Sequence, residues 1–122
     1  MKYMALIYGN RDRFEQLSPE EREAMYDRYR KFGEEATRAG VAVGGAELGP
    51  TRDATTVRIR DGETLVTDGP YAEIKEALGG FYLLECPSLE DALDWAAKIP
   101  GAHHGAVEVR ALHVEDEGSE AA

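Results

Sequence analysis

Three histidines, one cysteine and an aspartate set against a Gly-Pro turn are the side chains of this 122-residue chain with most chemistry to offer. Asp68, in Asp68-Gly69-Pro70, could present a carboxylate into a cleft as a general base. The competing reading is an Asx-type turn whose side chain bonds nearby backbone amides. His103 and His104 are the histidines placed to move a proton, because His113 falls at the end of the last expected strand. His104 with Asp68 would make an acid–base couple; a surface or interface histidine is the alternative. Adjacent side chains on extended chain point apart, and His113 lies up to ~30 Å further along a strand. A metal site built from all three histidines of one chain is therefore not expected. A lone Cys86 excludes an internal disulfide and a multi-cysteine zinc site, and on a central strand it reads as core.

The candidate ligand-binding residues are Tyr8, Glu73, Lys75 and Arg110. Glu73, Lys75 and Glu76 place three charges within four residues, a cluster able to hold a polar ligand or tune the pKa of Asp68; a solvated face is the simpler reading of it. Glu108 and Arg110 share one face of the last strand, where Tyr8 and Arg58 could add polar tips. That group reads either as an anion site or as a satisfied ion pair at a subunit seam. Gly44-Gly45 is not followed by Gly-Lys-Ser/Thr, so nothing supports nucleotide binding. No cofactor and no metal are expected.

Lys plus Arg number 14 against 24 Asp plus Glu, a net charge of −10. Nucleic acids and anionic membrane surfaces are bound through cationic side chains, so neither is an expected partner. At 43% apolar and 31% charged residues, the chain belongs with globular domains rather than disordered or membrane proteins. No apolar run approaches the ~20 residues that span a bilayer, and the start lacks a signal-peptide pattern; the expectation is a cytoplasmic protein. Residues 1–114 read as one domain. Residues 115–122 carry four acids and no base, and read as a disordered solubilising tail.

The elements that must position these residues alternate between strand and helix. Lys2 to Tyr8 is apolar at odd and even positions alike, the mark of a central strand covered on both faces. Gly9 to Leu17 reads as a polar connection. Ser18-Pro19-Glu20-Glu21 opens a helix with a capping box and a proline at its first position, and Met25, Tyr29, Phe32 and Ala36 form one apolar stripe. Gly40 stops that helix near residue 39. Val41 to Leu48 is a strand interrupted by Gly44-Gly45. Thr55 to Thr67 is a hairpin whose Asp61-Gly62 turn sets Arg60 opposite Glu63 and Val57 opposite Val66. Tyr71 to Leu78 reads as a turn or two of helix closed by Gly79. Gly80 to Cys86 is a second central strand. Ser88 caps a second helix with Leu89, Leu93 and Ala96 on its stripe and Trp95 flanking, and Ala106 to His113 is the last strand.

This order predicts an α+β fold: a ferredoxin-like split βαβ arrangement with an inserted hairpin, an antiparallel sheet carrying both helices on one face. Two helices cover one side, yet the central strands are apolar on both. A bare apolar face of several hundred Å² is rare on a soluble monomer. At ~25 cal/mol per Å², leaving ~400 Å² uncovered forgoes about 10 kcal/mol, comparable with a whole domain's stability. The hairpin could shield part of that face. The simplest complete cover is a second copy packed sheet to sheet, so a homodimer is expected, with any small-molecule site near the sheet faces or the seam.

Asp68 to Leu83 (Asp-Gly-Pro-Tyr-Ala-Glu-Ile-Lys-Glu-Ala-Leu-Gly-Gly-Phe-Tyr-Leu) closely resembles the signature of the DGPF branch of the YCII-related family. Met1-Lys2-Tyr3-Met4, Ser18-Pro19-Glu20-Glu21 and His104 to Arg110 extend the resemblance over nearly all the chain; Tyr71 stands where the usual residue is Phe. The resemblance implies a ferredoxin-like fold assembled as a dimeric α+β barrel. It implies no established activity. Some YCII-like relatives use a His–Asp pair, with the His near the first helix; Ser18 to Tyr26 contains no His, so that mechanism does not carry over. Many DGPF-type members are encoded beside ECF sigma factors, the basis for a suggested role in transcription initiation that the acidic charge here opposes as direct DNA contact. The leading expectation is a homodimer that binds a small molecule near Asp68, with cofactor-free acid–base catalysis of lyase or isomerase type open to it. The alternative is a non-catalytic interaction module linked to ECF sigma factor regulation.

Overall fold

A computed structural model of the chain describes residues 1–72 and 76–113, with all their side chains but that of Arg11. Six strands and three helices follow in order: β1 (Lys2–Asn10), α1 (Arg11–Glu15), α2 (Pro19–Arg38), β2 (Ala42–Glu47), β3 (Thr55–Arg60), β4 (Glu63–Asp68), β5 (Glu76–Glu85), α3 (Leu89–Ala96) and β6 (Ala106–Ala111). β2, β5, β1 and β6 form one antiparallel sheet in that order, while β3 and β4 form a separate two-stranded sheet. The two strand–helix–strand halves thus interleave, each contributing one central and one edge strand. No helix among the described residues is long and apolar enough to cross a membrane.

The capping box at the head of α2 is present in full. Ser18 N donates to Glu21 Oε1 at 2.9 Å and Glu21 N to Ser18 Oγ at 3.1 Å, with Pro19 at the first helical position. These bonds satisfy two of the amides that a helix start leaves without partners. The core lies between the sheet and α2 and α3. Tyr3 and Ala5 of β1 and Leu84 of β5 face Phe32 and Ala36 of α2 and Ala92 and Ala96 of α3, all buried. Phe32 holds both Tyr82 (ring centroids 5.0 Å apart, 63° between planes) and Trp95 (6.4 Å, 71°) edge to face. Cys86 is buried in the same cluster.

Four expectations change. Residues 9–17 are not a plain connection: β1 runs on to Asn10, whose side chain accepts from Arg13 N at 3.2 Å and caps α1. Glu76 to Leu78 are strand rather than helix, because they pair with Asn10, Gly9 and Tyr8 and lengthen the central ladder; the register shifts beyond Ile7, so the Gly79-Gly80 pair marks a bulge, not a helix stop. Tertiary pairing outweighs local propensity here. On α3 the stripe is turned: Ala92 and Ala96 face inward, while Leu89 and Leu93 are each about half exposed. Two alanines let the short helix sit close on the sheet. The hairpin, finally, shields no sheet face. Its register is the expected one, Arg60 opposite Glu63 and Val57 opposite Val66, with positive φ at Asp61 (52°) and Gly62 (77°) as a two-residue turn of this type requires. It stands off as an arm, with Val57, Ile59 and Val66 59%, 64% and 65% exposed. The acidic tail lies outside the described residues.

Candidate functional site

The helix-side layer is closed at one end and hollow at the other. A cavity of ≈ 460 Å³ lies beside the C-terminal end of β1, under the first half of α2. Its walls are Ile7 of β1, Phe14 of α1, Met25, Tyr26 and Tyr29 of α2, Glu47 of β2, Tyr82 of β5, and the turn that carries Gly101, His104 and Gly105. The volume falls within the roughly 300–1,000 Å³ common for small-molecule sites.

Several contacts hold these walls in place. Arg22 of α2 donates to the Glu15 carbonyl at 2.7 Å and sets its guanidinium 5.8 Å from the Phe14 ring centroid, tying α1 to α2. The Arg52–Glu15 ion pair ties α1 to the turn after β2. Phe14 and Tyr26 meet edge to face at 6.2 Å, and the Tyr26 hydroxyl donates to Glu47 Oε2 at 3.4 Å. The turn bearing His104 is fixed at both ends by close approach that only glycine allows. A Cβ on Gly101 would come within 2.7 Å of the Tyr29 hydroxyl and 2.8 Å of Ile7 Cγ2, and one on Gly105 within 2.1 Å of the Tyr8 carbonyl oxygen. Gly105 N donates to Gly101 O at 2.8 Å, closing the turn. His104 is held on the cavity rim by this clamp.

Electrostatically the cavity offers donors. Burial pushes the Tyr29 phenol above its ordinary value, with Tyr82 and Glu47 adding in the same direction and the Gly101 backbone opposing. Burial raises the Tyr82 phenol as well. Both stay protonated through the neutral range, where an unperturbed tyrosine is already neutral. Arg13 lines the cavity and has no acidic partner among the described residues. Nor do any three His, Cys, Asp or Glu side chains among them come together as a metal site.

The sequence candidates are dispersed. His104 lines the cavity. Tyr8 contributes to its rim, but strand alternation turns its side chain to the other sheet face, where it borders a shallow depression with Glu76, Ala106 and Glu108. Arg110 lies on that same face opposite Met4, exposed, its Nε 3.7 Å from Glu108 Oε2. Asp68 ends β4 opposite Thr55, exposed, and does not line the cavity. Glu73 and Lys75 lie outside the described residues. Arg13, Tyr26, Tyr29, Glu47 and Tyr82 are site residues that sequence reasoning missed. The available signal was the pair of glycines around His104, three residues before it and one after.

Fold and cavity define a two-layer α+β protein with a hollow between its layers. The chain belongs to the YCII-related family: residues 1–115 match the YCII-related domain. It is 40% identical over 114 residues to the uncharacterized protein R00369 of Rhizobium meliloti (strain 1021), a match covering 92% of each chain.

Proposed function

We propose that this protein, a DGPF-type member of the YCII-related family, is a homodimer that binds a small molecule in the helix-side cavity and moves a proton on it without a cofactor. The observation that carries the reading is the hollow itself. One helix packs tightly at its second half and leaves ≈ 460 Å³ beneath its first half, lined by tyrosines, an arginine and a histidine on a clamped turn. The cleft is open enough to admit a small molecule and leaves apolar rings such as Tyr26, 46% exposed, only partly covered by protein. Imidazole is the side chain most used for proton transfer in catalysis, and His104 is the one on this wall, with Tyr29 and Tyr82 as hydrogen-bond donors to the bound molecule. Asp68, the sequence candidate for general base, has no seat on this wall, and the proton transfer falls to His104.

Dimerisation is supported by the sheet face away from the helices. Strand register sets Leu6 against Phe81 and Met4 against Leu83 there, all only partly buried. A second copy is the simplest cover for that apolar centre, with Glu108 and Arg110 at its margin.

The test is a fragment and metabolite screen read by NMR shifts of residues in the cavity, run beside light scattering. Binding should perturb Tyr29, Tyr82 and His104, and Met25→Trp, which fills the space with a larger ring, should abolish it without unfolding the protein. Turnover of an identified ligand should vanish in His104→Gln with binding retained. No cavity shift with any compound, or a single-chain mass at micromolar concentration, would remove the corresponding half of the proposal.

The exposed apolar face of the β3–β4 arm favours a second reading, a protein-interaction module. A stoichiometric protein partner lost on Val57→Lys and Val66→Lys, with no ligand shift in the cavity, would favour that reading over the first.

A further inference from the structure

The cavity's lining points beyond a small molecule in general to one ligand class. Its apolar surface is supplied in large part by rings. Phe14 and Tyr26 are locked edge to face across α1 and α2, Tyr29 stands one turn further along α2, and Tyr82 is held from behind by Phe32. Rings fixed by other rings present flat, preordered surfaces, and aromatic ligands gain from offset-stacked or edge-on contact with them beyond the area buried. The polar groups lean one way. The half-buried phenols of Tyr29 and Tyr82 are donors, and Arg13 is a cation with no acidic partner among the described residues of a chain whose net charge is −10. Glu47, the acid on the wall, already receives the Tyr26 hydroxyl at 3.4 Å. An arginine on a cavity lining suits a planar oxyanion, which its guanidinium fork can hold through two parallel hydrogen bonds.

We infer that the cavity takes a planar aromatic compound of one or two rings bearing a carboxylate, with Arg13 as its counter-charge and the Phe14, Tyr26, Tyr29 and Tyr82 rings around its plane. This rests on the cavity being the binding site, and adds which chemistry it selects. An anionic ring also fits proton transfer by His104, because a carboxylate anchored at Arg13 fixes how the ring is presented to the imidazole.

Four probes separate the parts of the inference: 2-naphthoate, its saturated decahydro analogue, 2-naphthylmethanol and 2-naphthylmethylamine. They are titrated into the full-length protein and followed by NMR shifts of the cavity residues. Naphthoate should bind about tenfold or more tighter than each of the others, the size of one charge-assisted hydrogen bond or one stacked ring. In Arg13→Gln the advantage over the neutral alcohol should disappear while the alcohol binds as before; Arg13 is exposed, so this variant folds. Equal affinity for the saturated acid overturns the aromatic part. Tighter binding of the amine, or no effect of Arg13→Gln, overturns the anionic part. If none of the four binds while other fragments still shift the cavity residues, the ligand class is wrong and the site stands. If no compound of any kind shifts them, the site falls too.

Discussion

The two halves of α2 belong to one helix and do different work. Phe32 and Ala36, 4% and 0% exposed, are sealed against the sheet and α3; in the two turns before Phe32, Met25, Tyr26 and Tyr29 face a hollow, with Tyr26 46% exposed. The apolar stripe is continuous across both. What differs is the opposite wall. Under the second half lie the Tyr3, Ala5 and Leu84 side chains and the alanine face of α3, and these fill the space. Under the first half lie Ile7, the glycine-clamped turn and the short α1, which leave it open. Stability is concentrated in one half of the helix and the candidate site in the other.

Substitutions in the two halves should therefore separate stability from binding. The largest effect belongs to Phe32→Ala, which removes the ring touching both Tyr82 and Trp95 and should cost about 4 kcal/mol in denaturant unfolding. A cost under ~1 kcal/mol would show that the closed half is not where stability resides. Next comes Gly101→Val. Its added carbons collide with Ile7 and the Tyr29 hydroxyl, at a cost of about 2 kcal/mol, and ligand shifts in the cavity should be lost in protein that circular dichroism shows to be folded.

Ser18→Ala removes the cap and should cost about 1 kcal/mol. This term also carries a pH dependence. The Ser18 backbone bond, then its side-chain bond, hold the Glu21 carboxyl below its ordinary value. A carboxyl depressed in the folded state stabilises it above its unfolded pKa, and that contribution is lost as pH falls through the folded value. The Ser18 amide donor survives in Ser18→Ala, so the variant that tests this is Glu21→Gln: the stability gap between it and wild type should narrow on acidification below the ordinary Glu range, and a gap that stays constant there would contradict the reading. The smallest effect is expected for Glu35→Gln, which breaks the 2.8 Å contact to Lys98 at the edge of the closed half. Both side chains are about half exposed, so the loss should stay near 0.5 kcal/mol, measured against Lys98→Gln in a double-mutant cycle.

The same contrast explains what could be read from residues alone. The start of α2 and the hairpin register were legible because each is decided by neighbours in the chain: Ser18 and Glu21 cap one another, and Asp61-Gly62 dictates which residues face across the turn. The interleaved sheet followed from the order of the elements, two strand–helix–strand halves in succession. The hollow was not legible. Periodicity reports that Met25 and Tyr29 point inward, but not whether another element meets them. The start of β5 was hidden for a related reason, since Glu76 to Leu78 become strand only by pairing with the end of β1. Asp68 stood out by its place in a turn, a local property that does not say which wall of the fold the turn will reach.

The arm rises from a root that is already fastened. Gly69 N donates to Ala54 O at 2.7 Å and Thr56 Oγ1 to Gly69 O at 2.8 Å, so the chain leaves and returns at nearly one point. Between those residues β3 and β4 pair only with each other. The ribbon can be lengthened, shortened or exchanged without moving the four-stranded sheet, which makes it the part of the molecule where an insertion or a grafted recognition loop disturbs the cavity least.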